Sequence, residues 1–98
     1  LTGTPDQADP IIASVCHEFG ILADDLRGST RKHAVSTPRK LLMYILHREQ
    51  GWTLQSIGAL LARHHSTIIY GVRDTEHRLR ESVAMQASLE RITLGATQ

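Results

Sequence analysis

The sequence predicts an all-α fold, a small helical bundle that contains a helix-turn-helix. Three observations lead there. Apolar residues recur at three- and four-residue spacing through most of the chain, and no stretch of any length alternates as a strand would. Prolines and glycines punctuate those apolar stripes as starts and stops. Residues 57–72, IGALLARHHSTIIYGV, read as a short helix that stops at Ala62-Arg63-His64 and a second that begins around His65-Ser66-Thr67.

The elements follow in order. Residues 1–9 show no periodic apolar pattern and are expected to be a linker or disordered N-terminus, leaving 10–98 as one domain. Asp9 and Pro10 predict an N-cap and first helical residue, followed by an apolar face of Ile12, Val15, Cys16 and Phe19 that Gly20 ends. Asp24-Asp25-Leu26 reads as one further short turn, stopped by Gly28. A basic loop follows, Arg31-Lys32-His33 with Ser29 and Thr30 before it. Thr37 and Pro38 predict the start of the next helix, whose stripe is Leu41, Leu42, Ile45 and Leu46 through about Glu49. Gly51 closes it, and Trp52 is expected at the edge of the core. Thr53 is the expected N-cap of a helix that buries Leu54, Ile57, Leu60 and Leu61. The second helix of the motif turns Ile68, Ile69, Val72 and Leu79 inward. A last helix over 83–94 packs Ala87, Leu89 and Ile92 on the bundle.

Composition narrows the function. A chain of 98 residues with 41% hydrophobic content can bury a single core. No apolar run approaches the ~20 residues of a membrane span, and no basic-then-apolar start suggests a signal peptide. Cys16 has no internal disulfide partner, which points to a reducing compartment, the cytoplasm. The net charge of +1 conceals a segregation: −5 over residues 1–26, +7 over 27–73 and −1 over 74–98. The basic middle also holds His33, His47, His64 and His65, which can gain charge beside phosphates. Such asymmetry suits a face turned to a polyanion, although segregated charge is also common on ordinary surfaces.

Two constellations carry chemistry. Arg63-His64-His65-Ser66-Thr67 falls at the proposed turn and helix tip. There Arg and His can donate to guanine or phosphate, the hydroxyls can pair with either, and a Thr methyl can touch a thymine methyl. Helix capping by Ser66 or Thr67 explains one hydroxyl but not the Arg-His-His beside it. The basic loop at Arg31 and Lys32 has the composition of an arm that enters a minor groove, or of an ordinary solvated loop. Arg39 and Lys40 oppose the helix dipole in the first turn of their predicted helix, so an external anion or simple solvation accounts for them equally. The histidine spacing lacks the paired arrangements of a zinc site, and no nucleophile elbow, phosphate-cradling glycine loop or inward carboxylate pair suggests an enzyme.

Three stretches together resemble a known family: DDLRG at 24–28, RKHAVSTPRKLLMYIL at 31–46 and LQSIGALLARHHSTIIYGVR at 54–73. They are similar, in family order, to the C-terminal DNA-binding domain of the bacterial replication initiator DnaA. The resemblance implies a Trp-repressor-like helical bundle whose helix-turn-helix enters the major groove of a short duplex site, the DnaA box. It implies a minor-groove arginine at Arg31, a backbone-contacting arginine at Arg39 followed by Lys40, and a phosphate contact at His47. A contact to a thymine methyl falls on Gln55. The family signature Arg-Asp-His-Thr-Thr falls on Arg63, His64, His65, Ser66 and Thr67, so its aspartate is replaced by His64 and its first threonine by Ser66. These departures leave the target sequence open.

The expected function is therefore sequence-specific binding of double-stranded DNA, as in origin recognition for replication initiation, by a cytoplasmic, nucleoid-associated domain that is monomeric when isolated. The DNA-contacting set is Arg31, Lys32, Arg39, Lys40, His47, Gln55, Arg63, His64, His65, Ser66 and Thr67. No membrane, small-molecule substrate or cofactor is expected for this chain, with ATP implied only if an AAA+ domain precedes it. Two alternatives stay open: a free-standing relative that regulates transcription or binds mobile-element DNA at another target, and a helical protein-interaction module.

Overall fold

In the computed structural model, which describes residues 5–28 and 33–96, helix α1 spans Pro5–Phe19. It therefore begins five residues before the Pro10 start that the sequence suggests, and the expected linker is helical from Pro5 onward. Ala8 explains the extension: it is fully buried, and with Ile11, Ile12 and Val15 it forms one continuous apolar face. Pro10 lies inside this helix, where it removes the hydrogen bond to the Asp6 carbonyl, a cost that the burial of Ala8 offsets. Gly20 at φ +66° ends α1, and Ile21 N–H returns to the Cys16 carbonyl at 3.1 Å. The short α2, Ala23–Arg27, is capped by the Asp25 carboxylate on Leu22 N–H and sinks Leu26 completely into the core.

Helix α3, His33–Tyr44, departs from expectation in the same way, since Pro38 lies within it rather than at its first position. Val35 is buried one turn earlier, so extending the helix upstream covers more apolar surface than starting at Thr37 would. Leu41, Leu42, Ile45 and Leu46 are all buried, as their spacing predicts, each contributing about 1.5–3 kcal/mol relative to exposure. Past Tyr44 the helix widens into a π turn, Ile45–Glu49, with Gln50 N–H bonded to the Ile45 carbonyl. Gly51 at φ +73° then reverses the chain, and Trp52 N–H reaches the Leu46 carbonyl at 2.8 Å. That bond draws Trp52 into the core itself rather than to its edge.

Helices α4 (Leu54–Leu61) and α5 (His65–Glu81) form the helix-turn-helix, and α6 (Val83–Ala96) follows after Ser82. Thr53 caps α4 as expected, its hydroxyl accepting from Ser56 N–H at 3.0 Å. Ile57, Leu61, Ile68 and Val72 are fully buried, while Leu54, Leu60, Ile69 and Leu79 are half-buried. α3 lies centrally and packs chiefly on α5, α4 packs on α5, and α1 pairs with α6. The last pairing is fixed by Ser14 Oγ on the Ile92 carbonyl (2.7 Å) and by Arg91 on the Glu18 carboxylate (2.6 Å). Among the described residues there is no strand, and no helix is long and apolar enough to cross a membrane.

Candidate nucleic-acid interface

The turn between α4 and α5 is built on one glycine. Gly58 carries no Cβ, so its carbonyl accepts from both Ala62 N–H and Arg63 N–H (2.9 Å for the second), and the chain folds tightly back over it. A Cβ built there would stand 2.5 Å from the Arg63 carbonyl oxygen. Ala62 completes the turn in the left-handed region at φ 54°, ψ 48°, a conformation that glycine adopts freely and alanine does not.

The tip of α5 is capped by an unexpected residue. The sequence offers Ser66 and Thr67 for that role, yet the N-cap is His64. Its Nδ1 accepts from Ser66 N–H at 3.2 Å and lies 2.8 Å from Ser66 Oγ. The His65 ring stands beside it, centroids 4.2 Å apart and tilted by 34°. Thr67 is thereby released from capping and is exposed, as are His65 and Ser66.

Behind the tip, two arginines converge on the end of α2. Arg39, buried at 8% exposure, donates from Nε to the Leu26 carbonyl (2.9 Å) and from Nη2 to those of Asp25 (2.5 Å) and Gly28 (3.2 Å). Arg63 donates to the Leu61 carbonyl (2.7 Å) and, across the fold, to the same Gly28 oxygen (2.6 Å). Carbonyls at the C-terminal end of a helix carry its partial negative charge, so they suit guanidinium donors. Burial lowers the Arg39 pKa, helped by the nearby Arg63 charge, while Asp25 opposes the shift. Next to Arg39 on α3, Lys40 is bonded to Asp74 of α5 at 3.1 Å, and Arg78 holds the same carboxylate at 3.2 Å. Partial burial alone would raise the Asp74 pKa, but the two cations outweigh it and hold it below the usual carboxylate range.

The expected site residues thus fall into three groups. Gln55, Arg63, His64 and His65 border one shallow depression across α4 and the turn. Lys40, Arg39, Arg63 and Thr67 border a groove between α3 and α5 that Tyr70 also lines. His47 stands apart from both on the π turn, its Nδ1 donating to the Trp52 carbonyl at 2.8 Å. Arg31 and Lys32 lie outside the described residues. Two residues absent from the sequence-based set belong to the same surface: Tyr70, 70% exposed, and Arg73. With Ser66 they fall at i, i+4 and i+7 along α5, opposite the buried Ile68, Val72 and Thr75. The signal was present in that spacing, since a helix whose buried face is known assigns its outward face too.

Comparison with known proteins agrees with this geometry. A family model described as the bacterial DnaA protein helix-turn-helix matches residues 8–74. The chromosomal replication initiator protein DnaA of Desulfatibacillum aliphaticivorans is 34% identical over 78% of the chain and 17% of its own length. That of Thermus thermophilus is 32% identical over 93% of the chain and 22% of its own length. That of Chloroflexus aurantiacus is 35% identical over 89% of the chain. The chain spans about a fifth of the length of these curated relatives.

Proposed function

Since the chain belongs to the bacterial DnaA helix-turn-helix family, we propose that it binds double-stranded DNA sequence-specifically, as in recognition of origin sites for chromosomal replication. One observation carries the reading: the outward stripe of α5, from Ser66 and Thr67 through Tyr70 to Arg73, is polar and exposed over a buried opposite face. A helix of that kind, held by a tight turn, fits a major groove. His64, His65, Ser66, Thr67 and Gln55 address base edges, and Lys40, His47 and Arg73 address phosphates. Arg31 and Lys32 extend into the adjacent minor groove. Arg39 and Arg63 act largely from behind, by fixing the tip against α2. The domain works in the cytoplasm on the nucleoid, as a monomer when isolated, and nucleotide chemistry belongs to an AAA+ domain if one accompanies it.

Titrating labelled duplex at several salt concentrations tests this. Roughly six phosphate contacts give a log–log slope of about −5. A flat salt dependence, or no binding at low salt, removes the DNA reading and favours a protein-interaction module. A second reading is supported by His64, which stands where the family motif has aspartate: a free-standing regulator or mobile-element binder with another target. Selection from random duplexes separates the two, because a DnaA-box-like motif supports the initiator and an unrelated motif supports the regulator.

A further inference from the structure

We infer that His64 is a specificity-determining residue that presents a hydrogen-bond donor to the major groove, favouring guanine and rejecting cytosine at the base it meets. The inference rests on the duplex-binding reading above and goes further by assigning the polarity of one contact. A ring nitrogen offers either a proton or a lone pair. Nδ1 of His64 accepts from Ser66 N–H at 3.2 Å, so it carries no proton. The Ser66 hydroxyl lies 2.8 Å from the same nitrogen. The proton of the neutral imidazole must sit on Nε2, on the other side of the ring. Nε2 has no partner among the described residues, and His64 is exposed. The His65 ring stands beside the imidazole, centroids 4.2 Å apart. The cap therefore fixes both the tautomer and the direction of the free N–H.

Base edges respond to that polarity. Cytosine presents only an amino donor in the major groove, which leaves an N–H donor without a partner, whereas guanine presents two acceptors, O6 and N7. An aspartate in the same place would cap the helix equally well, yet its free oxygen would accept and so invert the preference.

This inversion is the test. Random-sequence duplexes are selected with the unaltered chain, with His64→Asp and with His64→Asn. Both substitutions keep an N-cap oxygen, but only asparagine keeps an outward N–H. The expected result is one position that is guanine for the unaltered chain and His64→Asn, and changes to an amino-bearing base, cytosine foremost, with His64→Asp. Swapping that base pair in a single duplex changes affinity about tenfold, in opposite senses for His64→Asp and the unaltered chain. Identical selected motifs for all three proteins, with unchanged melting temperatures, overturn the inference and leave duplex binding standing. No enrichment by the unaltered chain overturns the duplex reading and this inference together.

Discussion

Replacing Gly58 by alanine measures how tightly the helix-turn-helix is closed. The added Cβ would stand 2.5 Å from the Arg63 carbonyl oxygen, well inside the 3.4 Å at which ordinary contact begins. The obstacle is backbone, held by the Arg63 N–H bond to Gly58 and by the Arg63 side chain on Gly28. Overpacking against atoms that cannot move costs about 3 kcal/mol, at the upper end of its usual range. Alanine recovers about 1 kcal/mol through its higher helix propensity. The net loss is about 2 kcal/mol, which lowers the melting temperature of a domain this size by about 8–16 °C. Gly71 supplies an internal control. It also lies within a helix, but its Cβ would meet the Met43 thioether, the far end of a flexible side chain. Gly71→Ala should cost less than Gly58→Ala, since a flexible thioether, although Met43 is buried, yields more readily than backbone and the propensity gain is the same. Thermal melts followed by circular dichroism give both values. If Gly58→Ala melts at or above the unaltered protein, the close approach at the turn does not constrain the fold.

Three further outcomes follow. Ala62→Gly should stabilise the protein by about 0.5–1 kcal/mol, because it relieves the left-handed backbone of a non-glycine residue; a lower urea midpoint would contradict that. Glu18 and Asp74 are both held below the usual carboxylate range, the first by hydrogen bonds from Arg91. Their stabilisation is complete above the unfolded-state pKa near ~4 and is lost as pH falls through the lower folded values. Urea midpoints measured from pH 5 to pH 2.5 should therefore fall, and should fall less for Glu18→Gln; equal slopes would remove Glu18 from the account. Arg73 is exposed on the outward stripe of α5. Duplex binding by Arg73→Ala should weaken, with the salt slope shallower by about 0.9, as the loss of one phosphate contact requires. An unchanged salt slope in that variant would remove Arg73 from the phosphate contacts.

Much of this arrangement was legible in the sequence where a residue has one dominant local tendency. Thr53 caps, Gly20 and Gly51 reverse the chain with positive φ, and the Leu41–Leu42–Ile45–Leu46 stripe is buried. The two prolines misled for a shared reason. A proline one turn into a helix resembles one at its start, and only tertiary burial of Ala8 and Val35 distinguishes them. Arg39 resembled a surface cation because nothing local announces that three carbonyls at the end of α2 will converge on it. His64 as a cap was equally hidden, since histidine seldom takes that place and serine stands two residues away. Tyr70 and Arg73 were recoverable from periodicity alone.

The shared Gly28 oxygen also bears on how this domain opens. Arg63 reaches it across 35 residues of sequence and Arg39 across 11, so the bonds exist only while α2, α3 and the turn are together. Breaking them strands a buried guanidinium and several carbonyls at once. Local fluctuation of the turn is therefore suppressed, and α4 and α5 loosen only when the bundle does. In hydrogen exchange, the Arg63 amide should share the protection of core amides on α3 rather than that of a loop. The recognition helix would then reach its target as part of a single cooperative unit, its shape already settled before contact.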